Sequence, residues 1–104
     1  MLNRVSLCGK VISKAIASDK TCRITLSITE EFLGKPKTSM YKLITTGRIS
    51  DMIRDNVHLN DIVMFDGKLV LTDGHCIMLA QHYNVLYSPE GPTFPAASNQ
   101  MSLF

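Results

Sequence analysis

The chain has no tryptophan, and only seven of its 104 residues are aromatic. Flat rings are therefore scarce, which limits any function built on extensive ring stacking. The three cysteines, Cys8, Cys22 and Cys76, are odd in number and widely spaced. A disulfide framework is not expected from them, and reduced thiols are. No Cys-x-x-Cys or His-x-x-x-His spacing supports a metal site, so His75, Cys76 and His82, with Cys8 or Cys22, read as buried structural or surface residues. No metal or other cofactor is expected. No apolar run approaches the ~20 residues of a membrane helix. The opening Met1-Leu2-Asn3-Arg4 lacks the charged-then-apolar pattern of a secretory leader. The expectation is a cytoplasmic protein with no membrane partner. Nucleophile motifs, phosphate loops and paired carboxylates are missing too. Asp51, Asp55 and His58 lie close in sequence with nothing to orient them, so no enzyme is expected.

What is present is a hydrophobic fraction of 45%, enough for the core of one small domain. The net charge of +2 hides an asymmetry. Residues 1–42 carry eight Lys/Arg against three acids, and residues 43–104 carry three against six. A basic half points to a polyanion partner or to a solvated face.

Period-two alternation marks a strand over Val5–Ile12, with Gly9 as a bulge or bend. Residues 13–21 read as a loop with a turn at Ser18-Asp19-Lys20. Arg23–Thr29 alternates cleanly, with Ile24, Leu26 and Ile28 inward and Arg23, Thr25, Ser27 and Thr29 outward. Gly34-Lys35-Pro36-Lys37 punctuates a loop over residues 30–39, and Met40–Thr45 is a third strand. Ile49, Met52 and Ile53 define one face of a short helix over residues 48–56. A turn at Asn60-Asp61 precedes a fourth strand from Ile62 to Leu71, Thr72-Asp73-Gly74 is a tight Asp-Gly turn, and Cys76–Leu86 is the last strand. From Ser88 onward three of the four prolines cluster, so residues 88–104 read as a flexible tail behind a domain of residues 1–87. Five strands with one helix between the third and fourth is the layout of the all-β, five-stranded Greek-key OB barrel. Another small barrel or a sandwich fragment is the competing architecture.

Met1-Leu2-Asn3-Arg4-Val5-Ser6-Leu7-Cys8-Gly9 resembles the first strand of bacterial single-stranded DNA-binding proteins, Met-x-Asn-x-Val-x-Leu-x-Gly. Thr46-Gly47-Arg48-Ile49-Ser50 stands where that family has its Phe-Gly-x-x-Ala helix entry. Leu59-Asn60-Asp61-Ile62-Val63-Met64-Phe65-Asp66-Gly67-Lys68-Leu69 is similar to its Lys-Gly-Asp-x-Val-x-Val-x-Gly-x-Leu strand. Small primosomal OB proteins share much of this pattern. The resemblance implies single-stranded DNA as a ligand and a homo-oligomer, dimer or tetramer. OB barrels bind single strands across the second and third strands and adjoining loops, where Arg23, Phe32, Lys35, Lys37, Tyr41 and Lys42 cluster, joined by Lys68 on the fourth strand. The other reading makes Tyr41 a core filler and the lysines solubilising; Phe65 shares register with Val63 and belongs to the core.

The family's acidic tail is replaced by Gln100-Met101-Ser102-Leu103-Phe104. This resembles the peptide Gln-Leu-(Ser/Asp)-Leu-Phe that docks on the bacterial sliding clamp, the beta subunit of DNA polymerase III. Leu103 and Phe104 would fill an apolar pocket, Met101 would pack beside it, and Gln100 would hydrogen-bond at its rim. Folding of the apolar end back onto the barrel is the alternative. The leading expectation is a DNA replication accessory protein of a plasmid, phage or other mobile element, binding single-stranded DNA and docking on the clamp. The rivals are an OB interaction module or clamp inhibitor without DNA binding, and a primosomal or RNA-binding OB protein.

Overall fold

The computed structural model describes residues 2–17 and 20–89. Strands β1 (Val5–Ile16), β2 (Thr21–Phe32) and β3 (Lys35–Thr46) lead into helix α1 (Arg48–Asn56), followed by β4 (Ile62–Thr72) and β5 (His75–Tyr87). The strands close into a barrel in the order β1-β2-β3-β5-β4. Closure comes from one short parallel contact, Leu43 opposite Met78 and Ile44 opposite Leu79, while the other neighbours run antiparallel. This is the five-stranded OB architecture, with its helix between the third and fourth strands.

The core follows the alternation. Ile24 and Leu26 of β2, Leu43 of β3, Val63 and Phe65 of β4, and Met78 and Ala80 of β5 are buried, with Ile28 packed against them. Helix α1 sends Ile53 into this core, and Val57 follows it just past the helix end. Ile49 packs beside them as expected, but Met52 is 44% exposed. Ser50 takes the buried place instead, because its hydroxyl bonds the Thr45 hydroxyl at 2.7 Å.

Three strand ends differ from the sequence expectation. β1 continues to Ile16, and Ala17 closes the turn by donating its N–H to the Thr21 carbonyl at 2.8 Å. The expected turn residues Ser18 and Asp19 lie outside the described residues. β1 is irregular between Val11 and Ser13 rather than at Gly9. Gly9 instead marks a close approach, since a Cβ there would stand 2.7 Å from the Ser27 carbonyl oxygen.

The largest difference is the expected loop over residues 30–39. β2 and β3 stay paired to Phe32 opposite Lys35, joined only by Leu33-Gly34. Both turn residues have positive φ, 54° and 78°, the signature of a tight primed hairpin turn. Pro36 fits inside β3 because the far edge of the strand is unpaired there; β3 meets β5 only at Leu43 and Ile44. Asp73-Gly74 turns the β4–β5 hairpin in the same way, with φ of 51° and 78°, as the Asp-Gly pair predicts. Both hairpins project beyond the barrel as exposed ribbons.

Candidate nucleic-acid interface

Register places the expected residues. In an antiparallel pair, opposed residues share a face of the sheet. Arg23 lies opposite Ile44, and Thr25 opposite Lys42. Ile44 lies opposite Leu79 of β5, and Leu79 opposite Lys68 of β4. One row therefore crosses four strands on the outer surface, reading Arg23–Ile44–Leu79–Lys68. At ~4.8 Å per strand, its two cations have Cα atoms about 14 Å apart. Thr21, Arg23, Thr25, Lys42, Ile44 and Ile77 line a shallow groove on this face. Val70, opposite Ile77, extends the apolar strip onto β4. Ile44, Val70, Ile77 and Leu79 are half-buried, and none of them packs against the barrel core. The Arg23, Lys42 and Lys68 side chains are exposed. The arrangement is an apolar floor with cations at both flanks.

The remaining expected residues go elsewhere. Tyr41 lies opposite Leu26 and packs against the core, so its ring is turned away from Lys42. Alternation forces this, because neighbours in a strand face opposite ways. Phe32, Lys35 and Lys37 belong to the β2–β3 ribbon rather than to a loop, and they share the face opposite to Arg23. The Phe32 ring is 58% exposed, and Lys37 Nζ stands 5.3 Å from its centroid, within cation–π range. The seven residues thus form two groups. Arg23, Lys42 and Lys68 flank the outer floor, Phe32, Lys35 and Lys37 crown the ribbon, and Tyr41 belongs to neither. Of the aromatic residues described, only Phe32 and Tyr87 are exposed.

Other basic residues have structural duties. Lys14 donates from Nζ to the Val57 carbonyl at 2.5 Å and the Arg54 carbonyl at 3.0 Å, closing the end of α1. Arg54 pairs with Asp55 at 3.1 Å and Asp51 at 3.4 Å, and the first of these contacts pulls the Asp55 carboxyl below its ordinary range. Asn3, which carried part of the sequence resemblance, extends the β1–β4 ladder with its side chain. It donates from Nδ2 to the Leu69 carbonyl at 2.9 Å and accepts the Leu69 N–H at Oδ1 at 3.0 Å.

The apolar floor itself escaped the sequence reading. Ile44, Ile77 and Leu79 look like core residues in a strand until register assigns them outward. Their signal was the lack of a polar partner phase around Leu43-Ile44 and Ile77-Met78-Leu79. Among the described residues, no group of three or more His, Cys, Asp or Glu side chains is placed to hold a metal ion. No helix among them is long and apolar enough to cross a membrane. The peptide Gln100, Met101, Ser102, Leu103 and Phe104 lies outside the described residues.

No family model matches the chain, and no curated protein matches it by sequence. Solved structures do match its fold. A small single-stranded DNA-binding protein from Mycoplasma pneumoniae superposes with a TM-score of 0.67 at 16% identity, over 91% of this chain and 95% of that one. The Plasmodium falciparum single-stranded DNA-binding protein, in complex with single-stranded DNA, gives 0.69 at 19% identity, over 84% and 96%. PriB from Ralstonia solanacearum gives 0.67 at 9% identity, over 84% and 100%. At such identities the shared property is the fold: this chain has the OB barrel of single-stranded DNA-binding and PriB proteins.

Proposed function

We propose that the barrel binds single-stranded DNA across the outer face of β2, β3, β5 and β4, and that the C-terminal peptide brings it to the bacterial sliding clamp. The observation that carries the first part is the row Arg23–Ile44–Leu79–Lys68 with Lys42 beside it. Cations at both ends of an apolar strip suit a chain with phosphates along its backbone and flat apolar faces on its bases. Phe32 and Lys37 on the ribbon add a ring and a charge that a longer strand could reach. The superposed proteins include one held in complex with single-stranded DNA, which supports this use of the fold.

The clamp reading rests on Gln100-Met101-Ser102-Leu103-Phe104. Its apolar anchors and leading Gln suit a preformed pocket, and the proline-rich segment before it would let barrel and peptide engage separate targets. The role is that of a replication accessory acting without chemistry. Titration of the full chain with oligo-dT, and calorimetry against purified clamp with and without residues 100–104, test the two parts. Salt-sensitive oligonucleotide binding supports the first, and loss of clamp binding on deletion supports the second. Unchanged clamp affinity after deletion removes the tail from the proposal. A second reading, a barrel serving only as a partner scaffold, is favoured by the inward packing of Tyr41; absence of oligonucleotide binding at low salt selects it.

A further inference from the structure

We propose that the outer face reads the 5-methyl group of thymine, so that the domain binds thymine strands more tightly than uracil strands. The inference rests on the single-strand reading above and adds a base preference to it. The floor consists of Ile44, Val70, Ile77 and Leu79 on three adjacent strands, all half-buried and all directed away from the core. These four side chains carry no hydrogen-bonding group and no ring. Cations stand at both flanks, Arg23 and Lys42 on one and Lys68 on the other. The outward carboxylate nearest to Lys68 along β4, Asp66, accepts a hydrogen bond from the Ser6 hydroxyl. The flanks therefore select a polyanion, and a backbone held at both sides lays its bases over the floor.

An aliphatic floor cannot read a Watson–Crick edge, because it offers neither donor nor acceptor. It cannot rank bases by ring stacking either. It responds to apolar surface. Thymine and uracil share the same edge and differ by one methyl on C5, and apolar contact is the established way a protein senses that methyl. Burying one methyl is worth about fourfold in affinity, and two seated bases give about fifteenfold. The span of about 14 Å between the flanking Cα atoms accommodates such a short segment.

The test is fluorescence anisotropy of the full chain with labelled deoxythymidine and deoxyuridine oligomers of equal length at low salt. Thymidine oligomers should bind about four- to fifteenfold more tightly. The pair 5-methyldeoxycytidine and deoxycytidine should differ in the same direction, since the methyl and not the edge is read. Ile44→Thr with Leu79→Thr keeps strand-forming residues at outward positions and should bring the ratio towards one. Arg23→Gln should weaken both oligomers and leave the ratio intact. Equal binding of deoxythymidine and deoxyuridine oligomers by the unmodified protein overturns this inference while leaving the single-strand reading in place. Binding of neither overturns that reading as well. Should the double variant misfold by circular dichroism, the two methyl comparisons on the unmodified protein still decide the matter.

Discussion

Replacing Arg23, Lys42 and Lys68 one at a time with Gln separates a nucleic-acid face from a merely solvated one. Each phosphate neutralised on a single strand contributes about −0.7 to the slope of log K against log salt. Three cations on the outer face give about −2.1, so affinity should fall about twentyfold between 50 and 200 mM salt. Each single variant should reduce the slope to about −1.4 and the fall to about sevenfold. Lys14→Gln is the control, because its ammonium is committed to the Val57 and Arg54 carbonyls at the end of α1. That change should cost about 1 kcal/mol of stability and leave the slope alone. Anisotropy titrations of oligo-dT over a salt series, with urea unfolding in parallel, read both quantities. The reasoning is refuted by slopes that stay near −2 in all three face variants, or by a slope that drops for Lys14→Gln.

Four further predictions concern the packing. Gly67→Ala places a Cβ 2.0 Å from the Leu79 carbonyl oxygen, where β4 meets β5 beside the apolar floor, and should cost about 3 kcal/mol or more in urea unfolding. Asn3→Ala removes both bonds to the Leu69 backbone; it should cost about 1–2 kcal/mol and speed hydrogen exchange at the Leu69 amide. Burial pushes the Cys22 thiol up from 9.0, against the opposing pull of Lys14 and Thr45, so an aromatic disulfide reagent should modify Cys8 and Cys76 in the folded protein and reach Cys22 only on unfolding. Above about pH 9 the unfolded thiol ionises while the folded one stays protonated, so this residue's contribution makes stability fall as pH rises, and Cys22→Val should flatten that limb.

The inward set of β2, the helix, and the Asp-Gly turn could be read from the chain because each is a local pattern. Ile24, Leu26 and Ile28 recur at period two, and Ile49 and Ile53 recur at helical spacing. The long ribbons could not be read that way. Leu33 adopts φ of 54°, a region that costs a side chain about 1–2 kcal/mol and that turn propensities assign to Asn, Asp or Gly. Pro36 likewise reads as a strand breaker unless the edge it occupies is known to be free. Ser50 and Thr45 can bury their hydroxyls because each offers the other a hydrogen-bond partner. The Arg23–Lys68 relation spans four strands and has no sequence spacing at all.

That last relation depends on a single register. The turn at Leu33-Gly34 fixes Tyr41 opposite Leu26 and Lys42 opposite Thr25. A turn one residue longer, pairing Phe32 with Pro36, would set Tyr41 opposite Ser27, and every side chain of β3 would change face. Tyr41 would then stand outside with Arg23 and offer a ring to a base, while Lys42 would have to enter the core beside Leu26. Burying that ammonium without a partner costs far more than placing Leu33 at positive φ. The chain therefore accepts the unfavourable turn residue, keeps Lys42 and Ile44 outside, and spends its tyrosine on the core. The face this leaves is cationic at its flanks and aliphatic at its centre. Its affinity should accordingly be set by phosphates and methyl groups rather than by stacked rings.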